Sequence, residues 1–396
     1  MTNYASIVPL IGGETLAMEA AFGKRPEYIL SYEPFANNDQ HIVAHYNNEV
    51  PYHILTENNN TKFKNVDVVN TVCPCAGLSS LSLSASAENN ANDWMYKTAN
   101  YVLEEMQPRV FWGENSPQLA GKVGEPVVQK LRQIGEANGY IFSIFKTRSL
   151  LHGLPQVRNR AFYFFWKDDA IPVFDWFTRE LEPIADLISA INANENDSMD
   201  VLTNTKTPSD DPWYRYILEE LEGGLTHQQF VEKIDKSYDT FHYIETHGPN
   251  YMVVKRWMEE NNFPKQAKRC VTMYKKLKAG GSIMRRGVCI PKGNLGAFVG
   301  HLPTMTAHPV EDRFLTIREC LAIMKMPDDF ILQGGKKNLN HICQNVPVST
   351  ATDMANQIKK YLNGELDSIN ASYMIQNNLN CTLDIKREIN NLEAFL

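Results

Sequence analysis

The chain has 396 residues, 43% hydrophobic and 21% charged, with a net charge of −7. That composition fits one or two globular domains burying about three quarters of the unfolded surface. It excludes a membrane span, since no apolar run approaches the ~20 residues needed. The start MTNYASIVPLIGG lacks a signal peptide's basic start and long apolar core, and seven scattered cysteines suit a reduced compartment, so a cytoplasmic protein is expected.

Over residues 1–166 short apolar, β-branched and aromatic runs alternate with longer mixed segments. ASIVPL, EYILSY, VDVVNTV, RVFWG, YIFSIF and AFYFFW predict strands. The segments between them predict helices. The clearest is NDWMYKTANYVLEEMQ, where Asp93 is placed to cap, Trp94, Thr98, Tyr101, Val102 and Glu105 recur at helical spacing, and Pro108 stops the helix. Strand–helix alternation predicts an α/β fold, a doubly wound, mostly parallel sheet covered on both faces. A ligand is expected past the carboxyl ends of its strands. Residues 168–222 are acid-rich, and 255–292 reverse the sign. That basic stretch, interleaved with Trp257 and Tyr274, reads either as a phosphate-contacting surface or as a solvated helix face. The tail, 363–396, reads as polar turns and a short helix.

TVCPCAGLSS, residues 71–80, puts Cys73 and Cys75 just past a buried strand, with a loop of small polar residues following. A disulfide between thiols two residues apart would be badly strained. Zinc is not expected, because Cys270 and Cys289 stand alone and His242 and His247 have no cysteine partners. What remains is a packed strand end or a nucleophile. Two further strands end in chemistry-bearing residues. RVFWGENSPQ ends in Glu114 and Asn115. HGLPQVRNR leads into a strand with Gln156, Arg158 and Arg160 alternating onto one face.

Taken in order, PCAGLS, GENSP, GLPQVRNR, RFLTIRECLAIMKMPDDF and QNVPV resemble the motifs of the DNA cytosine-5 methyltransferases. The resemblance spans about 1–166 and 300–360. It implies a donor-binding and catalytic domain at 1–166, a target-recognition domain at 167–304, and a return to the first domain at 305–396. It implies that Cys75 adds to C6 of a flipped cytosine, which makes C5 nucleophilic. Glu114 would hold or protonate N3. Arg160 would bind O2 and steady Glu114, and Arg158 would meet the phosphate or the thiolate region. Ser79 and Ser80, in the loop after Cys75, and Thr304, near the domain junction, would meet DNA. So would Arg269, Lys275, Lys276, Lys278, Arg285 and Arg286 in the basic stretch.

The implied donor is S-adenosylmethionine, held by Leu10, Ile11, Gly12, Gly13, Glu33, Pro34 and Asn345. Here the chain departs from the family pattern. Ser6 replaces the usual acid, Val8 the usual Phe and Leu10 the first Gly of the donor loop, so the adenine loses an aromatic face. His53 stands where an Asp is usual. The implied partners are double-stranded DNA and a cognate restriction endonuclease, with no metal, in a prokaryotic or phage-infected cell. A DNA-binding pseudoenzyme and an RNA cytosine-5 methyltransferase are the alternatives.

Overall fold

The computed structural model describes residues 2–56, 63, 66–74, 77–78, 85–191, 196–283, 287–300 and 302–379. Its centre is an eight-stranded sheet. The strands are β1 (Tyr4–Ile7), β2 (Ile29–Ser31), β3 (Tyr52–Ile54), β4 (Val68–Thr71), β5 (Val110–Asn115), β6 (Ile141–Arg148), β7 (Asn159–Trp166) and β8 (Tyr373–Asn377). Their spatial order is β8-β6-β7-β5-β4-β1-β2-β3. The chain winds outward from β1 through β2 to β3, then returns to place β4 on the other side of β1, which makes the β1/β4 border a topological switch point. Every pairing is parallel except those of β7, which runs antiparallel to both β5 and β6.

The central strands have no exposed face. Every residue of β1, β4 and β5 is buried, so these strands read as continuous apolar runs rather than alternating ones. One face carries α1 (Gly13–Phe22) and the helix Val348–Leu362, which lie along each other. The other carries α3 (Asp93–Tyr101), reached by the Cys73 thiol, and α4 (Glu125–Ala137), whose Gly135 lies against Phe165. A further helix, α2 (Ala36–His45), follows β2. Aromatic rings bridge β5 to β7. Trp112 stacks on Phe164 at 6.0 Å, and Phe111 on Phe165 at 5.5 Å.

All six strands expected from the sequence are present, with two more at the sheet margins. The tail does not form a short helix between residues 363 and 379: Tyr373–Asn377 is β8, parallel to β6 at the sheet edge. Tyr373 explains its attachment, with one neighbour in Phe142 at 6.2 Å and the Arg132 guanidinium 4.4 Å above its ring. Asp93 does not cap its helix. It is the first helical residue, Asn92 is at the cap position, and Asn89 caps the preceding turn by accepting from the Ala91 amide. The helix ends through a π turn at Val102–Met106, with Gln107 in the left-handed region before Pro108.

The chain falls into two compact units, 1–181 with 324–333 and 344–396, and 182–323 with 334–343. These limits differ from those read from the sequence at 167, 304 and 305. Residues 305–323 belong to the second unit because the helix Ile317–Ile323 is tied there. Arg318 pairs with Asp197 at 2.6 Å, and Thr316 and Glu319 exchange backbone bonds in a capping box. The second unit has its own core, with Trp213, Tyr214, Phe230, Phe241, Ile244, Val254 and Cys270 at its centre. Phe164, fully buried between stacked tryptophans, tests the sheet. Phe164→Ala should cost about 3–5 kcal/mol with an unchanged m value in urea unfolding.

Candidate active site

Glu114 and Arg160 meet because of strand direction. Glu114 lies near the carboxyl end of β5, opposite Phe162 of antiparallel β7, and Arg160 lies two residues before Phe162 on the same face. The start of β7 therefore sits beside the end of β5. The Arg160 guanidinium pairs with the Glu114 carboxylate, which is 3% exposed. Arg160 also donates to the Asn159 carbonyl at 2.7 Å.

Arg158 is 2% exposed and donates to the Asn345 carbonyl at 2.7 Å. Its own carbonyl accepts from the Ser149 amide at 3.0 Å. The expected single strand through Gln156, Arg158 and Arg160 is broken at Arg158, between a two-residue strand and β7. Gln156 and Arg158 are nonetheless both buried, with Val157 exposed between them. A buried chain braces this corner. Thr147 bonds His152 at 2.7 Å, His152 bonds Asp353 at 2.8 Å, and Arg179 closes on Asp353.

Cys75, Ser79 and Ser80 lie outside the described residues. Cys73 is described and is not poised as a nucleophile. It is 1% exposed, and its sulfur lies 3.7 Å from both the Trp94 carbonyl and the Thr98 hydroxyl. Burial pushes its thiol up, against the opposing pull of Thr71 and Thr98.

The turn after β1 explains its two glycines. Gly12 has φ +103°, and a Cβ there would come within 2.6 Å of Ile42. A Cβ on Gly13 would lie 2.1 Å from the Val346 carbonyl. The Gly13 amide donates to Asn345 Oδ1 at 3.0 Å, joining this turn to the QNVPV segment. Val8 and Leu10 also have positive φ, 53° and 52°. Leu10 keeps this conformation where the family pattern has glycine. Ile11 and Val8 are fully buried and Leu10 is 6% exposed, so Val8 stands in the core rather than at a ligand wall.

Glu33 and Pro34 are exposed on a short turn directly after β2. Beside them is an aromatic group that the sequence reading missed: Trp94 lies 5.1 Å from Tyr32 and 4.9 Å from Phe35. His53 is exposed on β3, 5.0 Å from Phe63. Two buried acids were missed as well. Glu14 opens α1, and Asp39 lies inside α2. No hydrophobic pattern flags an acid on the inward face of a helix.

In the second unit the helix Pro264–Lys278 buries Ala267, Cys270 and Met273. Lys275, Lys276 and Lys278 are exposed in its last turn, where they also complement the helix dipole. Arg269 is exposed, with its guanidinium 4.6 Å over the Phe241 ring. Trp257 packs on Tyr216 at 5.2 Å, so it is a core contact rather than an exposed stacking platform. Thr304 is half-buried, and its carbonyl accepts from Asn204 at 3.2 Å. Arg285 and Arg286 lie outside the described residues. Several acids of 168–222 have structural partners: Asp175 with Lys360, Asp197 with Arg318, Glu219 with Arg215 and Glu222 with Lys233. Among the described residues no His, Cys, Asp or Glu cluster is arranged to hold a metal ion, and no helix is long and apolar enough to cross a membrane.

Residues 4–360 match the model of the C-5 cytosine-specific DNA methylases. The chain belongs to that family. It is 25% identical to the type II methyltransferase M.MthTI of Methanothermobacter thermautotrophicus over 301 residues, 74% of this chain and 78% of that one. A 56-residue stretch is 45% identical to M.MJ0563P of Methanocaldococcus jannaschii, a proposed type II methyltransferase, spanning 14% of this chain and 18% of that one. Among solved structures, a proposed DNA modification methyltransferase from an E. coli prophage superposes with a TM-score of 0.54 at 15% identity, over 92% of this chain and all of that one. The Entamoeba histolytica methyltransferase EhMeth gives 0.52 at 12% identity, over 91% and 99%. These likenesses bear out the α/β fold with its mostly parallel sheet.

Asp39 offers a test of the packing around the turn after β1. It is fully buried and accepts from Tyr52 at 3.1 Å. Burial raises its carboxyl to about 7, opposed by Ser31, Tyr52 and the Leu10 backbone. The folded value lies above the unfolded one, so the group's stability contribution is complete below pH ~4 and lost as pH rises through ~7. The loss is on the order of 4 kcal/mol. Asp39→Asn should therefore flatten the fall in urea midpoint between pH ~5 and ~8, and equal slopes in both proteins would reject the assignment.

Proposed function

We propose that this family member transfers a methyl group to C5 of a cytosine flipped out of duplex DNA, with Cys75 as nucleophile and Glu114 as the group facing N3. The observation that carries the reading is the buried Glu114–Arg160 pair at the carboxyl edge of the sheet, close to the switch point. Cytosine resists attack because its ring is aromatic. A thiolate adding at C6 needs electron density drawn off at N3, and a carboxylic acid held there does that by giving its proton to N3. The new C6–S bond leaves C5 electron-rich. Once C5 carries the methyl group, loss of the C5 proton to a base and departure of the thiolate restore the ring. Burial of Cys73 favours Cys75 as the attacking thiol. The reading for Arg160 is that it steadies Glu114 and meets O2, and for Arg158 that it lies toward the phosphate or thiolate.

The proposed donor is S-adenosylmethionine, which supplies the methyl group when bound. The residues present fit it. Gly12 and Gly13 leave no room for side chains, Asn345 fixes their turn, and Glu33 with Pro34 offers an exposed carboxylate for ribose hydroxyls. Phe35 and Trp94, next to Glu33, are proposed as the aromatic surface that Val8 does not provide. Residues 182–323 with 334–343 are proposed to read the DNA target, with Lys275, Lys276 and Lys278 on phosphates. A cognate restriction endonuclease is the proposed partner, on the type II designation of the relatives.

With 5-fluorocytosine in the target, wild type should form a covalent adduct mapping to Cys75, and Cys75→Ser should form none. An adduct at Cys73 would sink the assignment. Trp94→Ala should weaken donor binding in calorimetry by several-fold, as expected for one aromatic contact of about 1 kcal/mol. Neutralising the three lysines should weaken DNA binding across sequences and flatten its log–log salt slope by about one unit per lost contact.

A further inference from the structure

Glu14 lies on the first turn of α1 with a relative exposure of 0%, and neither of its carboxyl oxygens has a hydrogen-bond partner among the described residues. A buried polar side chain without a partner is uncommon and calls for a physical reason. The reason lies in what surrounds it. The next residue, Thr15, donates to Ser6 at 2.9 Å, and Ser6 donates to Asn70 at 2.7 Å. Asn70 stands beside Trp112 in the sheet register, and Glu114 follows Trp112 by two positions on the same face. Glu14 therefore descends from the helix layer onto the face of the sheet that bears Glu114.

We propose, resting on the function given above, that Glu14 and Glu114 form a buried carboxyl pair that retains one proton, with Glu14 as a positioning residue that keeps Glu114 able to act as an acid toward N3.

Charge balance supports the pairing. Of the two carboxyls, Glu114 has Arg160 as its cation and Glu14 has none among the described residues. Two carboxylates and one guanidinium would leave a net negative charge in a site closed to water, so one proton stays. Burial and then the nearby Glu114 push the Glu14 carboxyl well up, while the facing Asn70 side chain pulls it down. The other groups coupled to this cluster are the Cys73 thiol and the Tyr163 phenol, both pushed up themselves. Arg158 is bonded to the Asn345 carbonyl. On the helix along α1, Asp353 holds His152 and Arg179, Lys359 donates to the Ala21 carbonyl, and Lys360 pairs with Asp175. None of these is bonded to Glu14.

The proton belongs to the pair rather than to one member. As Cys75 sulfur bonds to C6, the O–H bond at Glu114 breaks and N3–H forms. When the C6–S bond breaks, the proton returns to the pair. Without Glu14 the site holds one carboxyl and one guanidinium, and charge balance no longer calls for the retained proton.

Two measurements test this separately from the function. Infrared difference spectra at pH ~8.5, above the range of Asp39, should show a protonated carboxylic acid in wild type that is lost in Glu14→Gln. Its absence from wild type overturns the pair, whatever the activity. Adduct formation with the 5-fluorocytosine duplex should have its alkaline limb moved down by about one unit in Glu14→Gln, about tenfold slower at pH ~8, with donor and DNA affinity within twofold. Superimposable pH profiles would reduce Glu14 to packing. No adduct from wild type at any pH would instead reject the proposed function, and the infrared band would still decide the pair.

Discussion

The site depends on one reversal of direction. In an otherwise parallel sheet, β7 runs against β5 and β6. A parallel β7 would carry Arg160 to the far edge and leave Glu114 a buried charge without a cation, which costs several kcal/mol. The reversal brings the guanidinium to the carboxylate with no loop intervening. It also lets β7 be apolar from Ala161 to Trp166, since its polar residues gather at one end.

The same edge is closed by segments remote in sequence. The Asn345 side chain holds the Gly13 amide while its carbonyl takes Arg158. One asparagine thus ties the glycine turn after β1 to the arginine segment. Backbone sterics make the joint specific, because Gly13 has the Val346 carbonyl where a side chain would go. Two of the non-glycine residues at positive φ, Val8 and Leu10, are buried just before these glycines, where packing from all sides can hold a conformation that is costly in isolation.

Much of this was legible in the sequence for a physical reason. Strands buried on both faces must be apolar throughout, so β1, β4, β5 and β7 stand out as runs. The polar residues that interrupt the ends of such runs, Glu114 and Arg160 among them, are visible by contrast. The margins β3 and β8 are half-exposed, and their mixed patterns resemble loops. Glu14 and Asp39 were illegible because an acid near a helix start is normally solvated or set against the helix dipole. Trp257 was misleading in the opposite way. Set in the run Lys255, Arg256, Trp257, Met258, Glu259, it reads as surface, yet it packs on Tyr216 and Phe263. The basic turn around Lys275 was readable as exposed, but spacing alone does not distinguish a ligand-facing lysine from a solvated one.

The edge strand β8 bears on how the molecule is made. Its partner β6 ends at Arg148, yet β8 begins at Tyr373, after the whole second unit has been synthesised. Until then the nascent sheet has β6 as an open margin, with unpaired amides and carbonyls along Phe142–Lys146. Asn345 and the helix Val348–Leu362 also emerge late, so the glycine turn after β1 lacks its clamp over the same interval. Vectorial synthesis therefore completes the sheet and the glycine turn together. A ribosome stalled within the second unit would display an adhesive edge and an unlocked turn at once, which makes this interval the natural point for chaperone engagement.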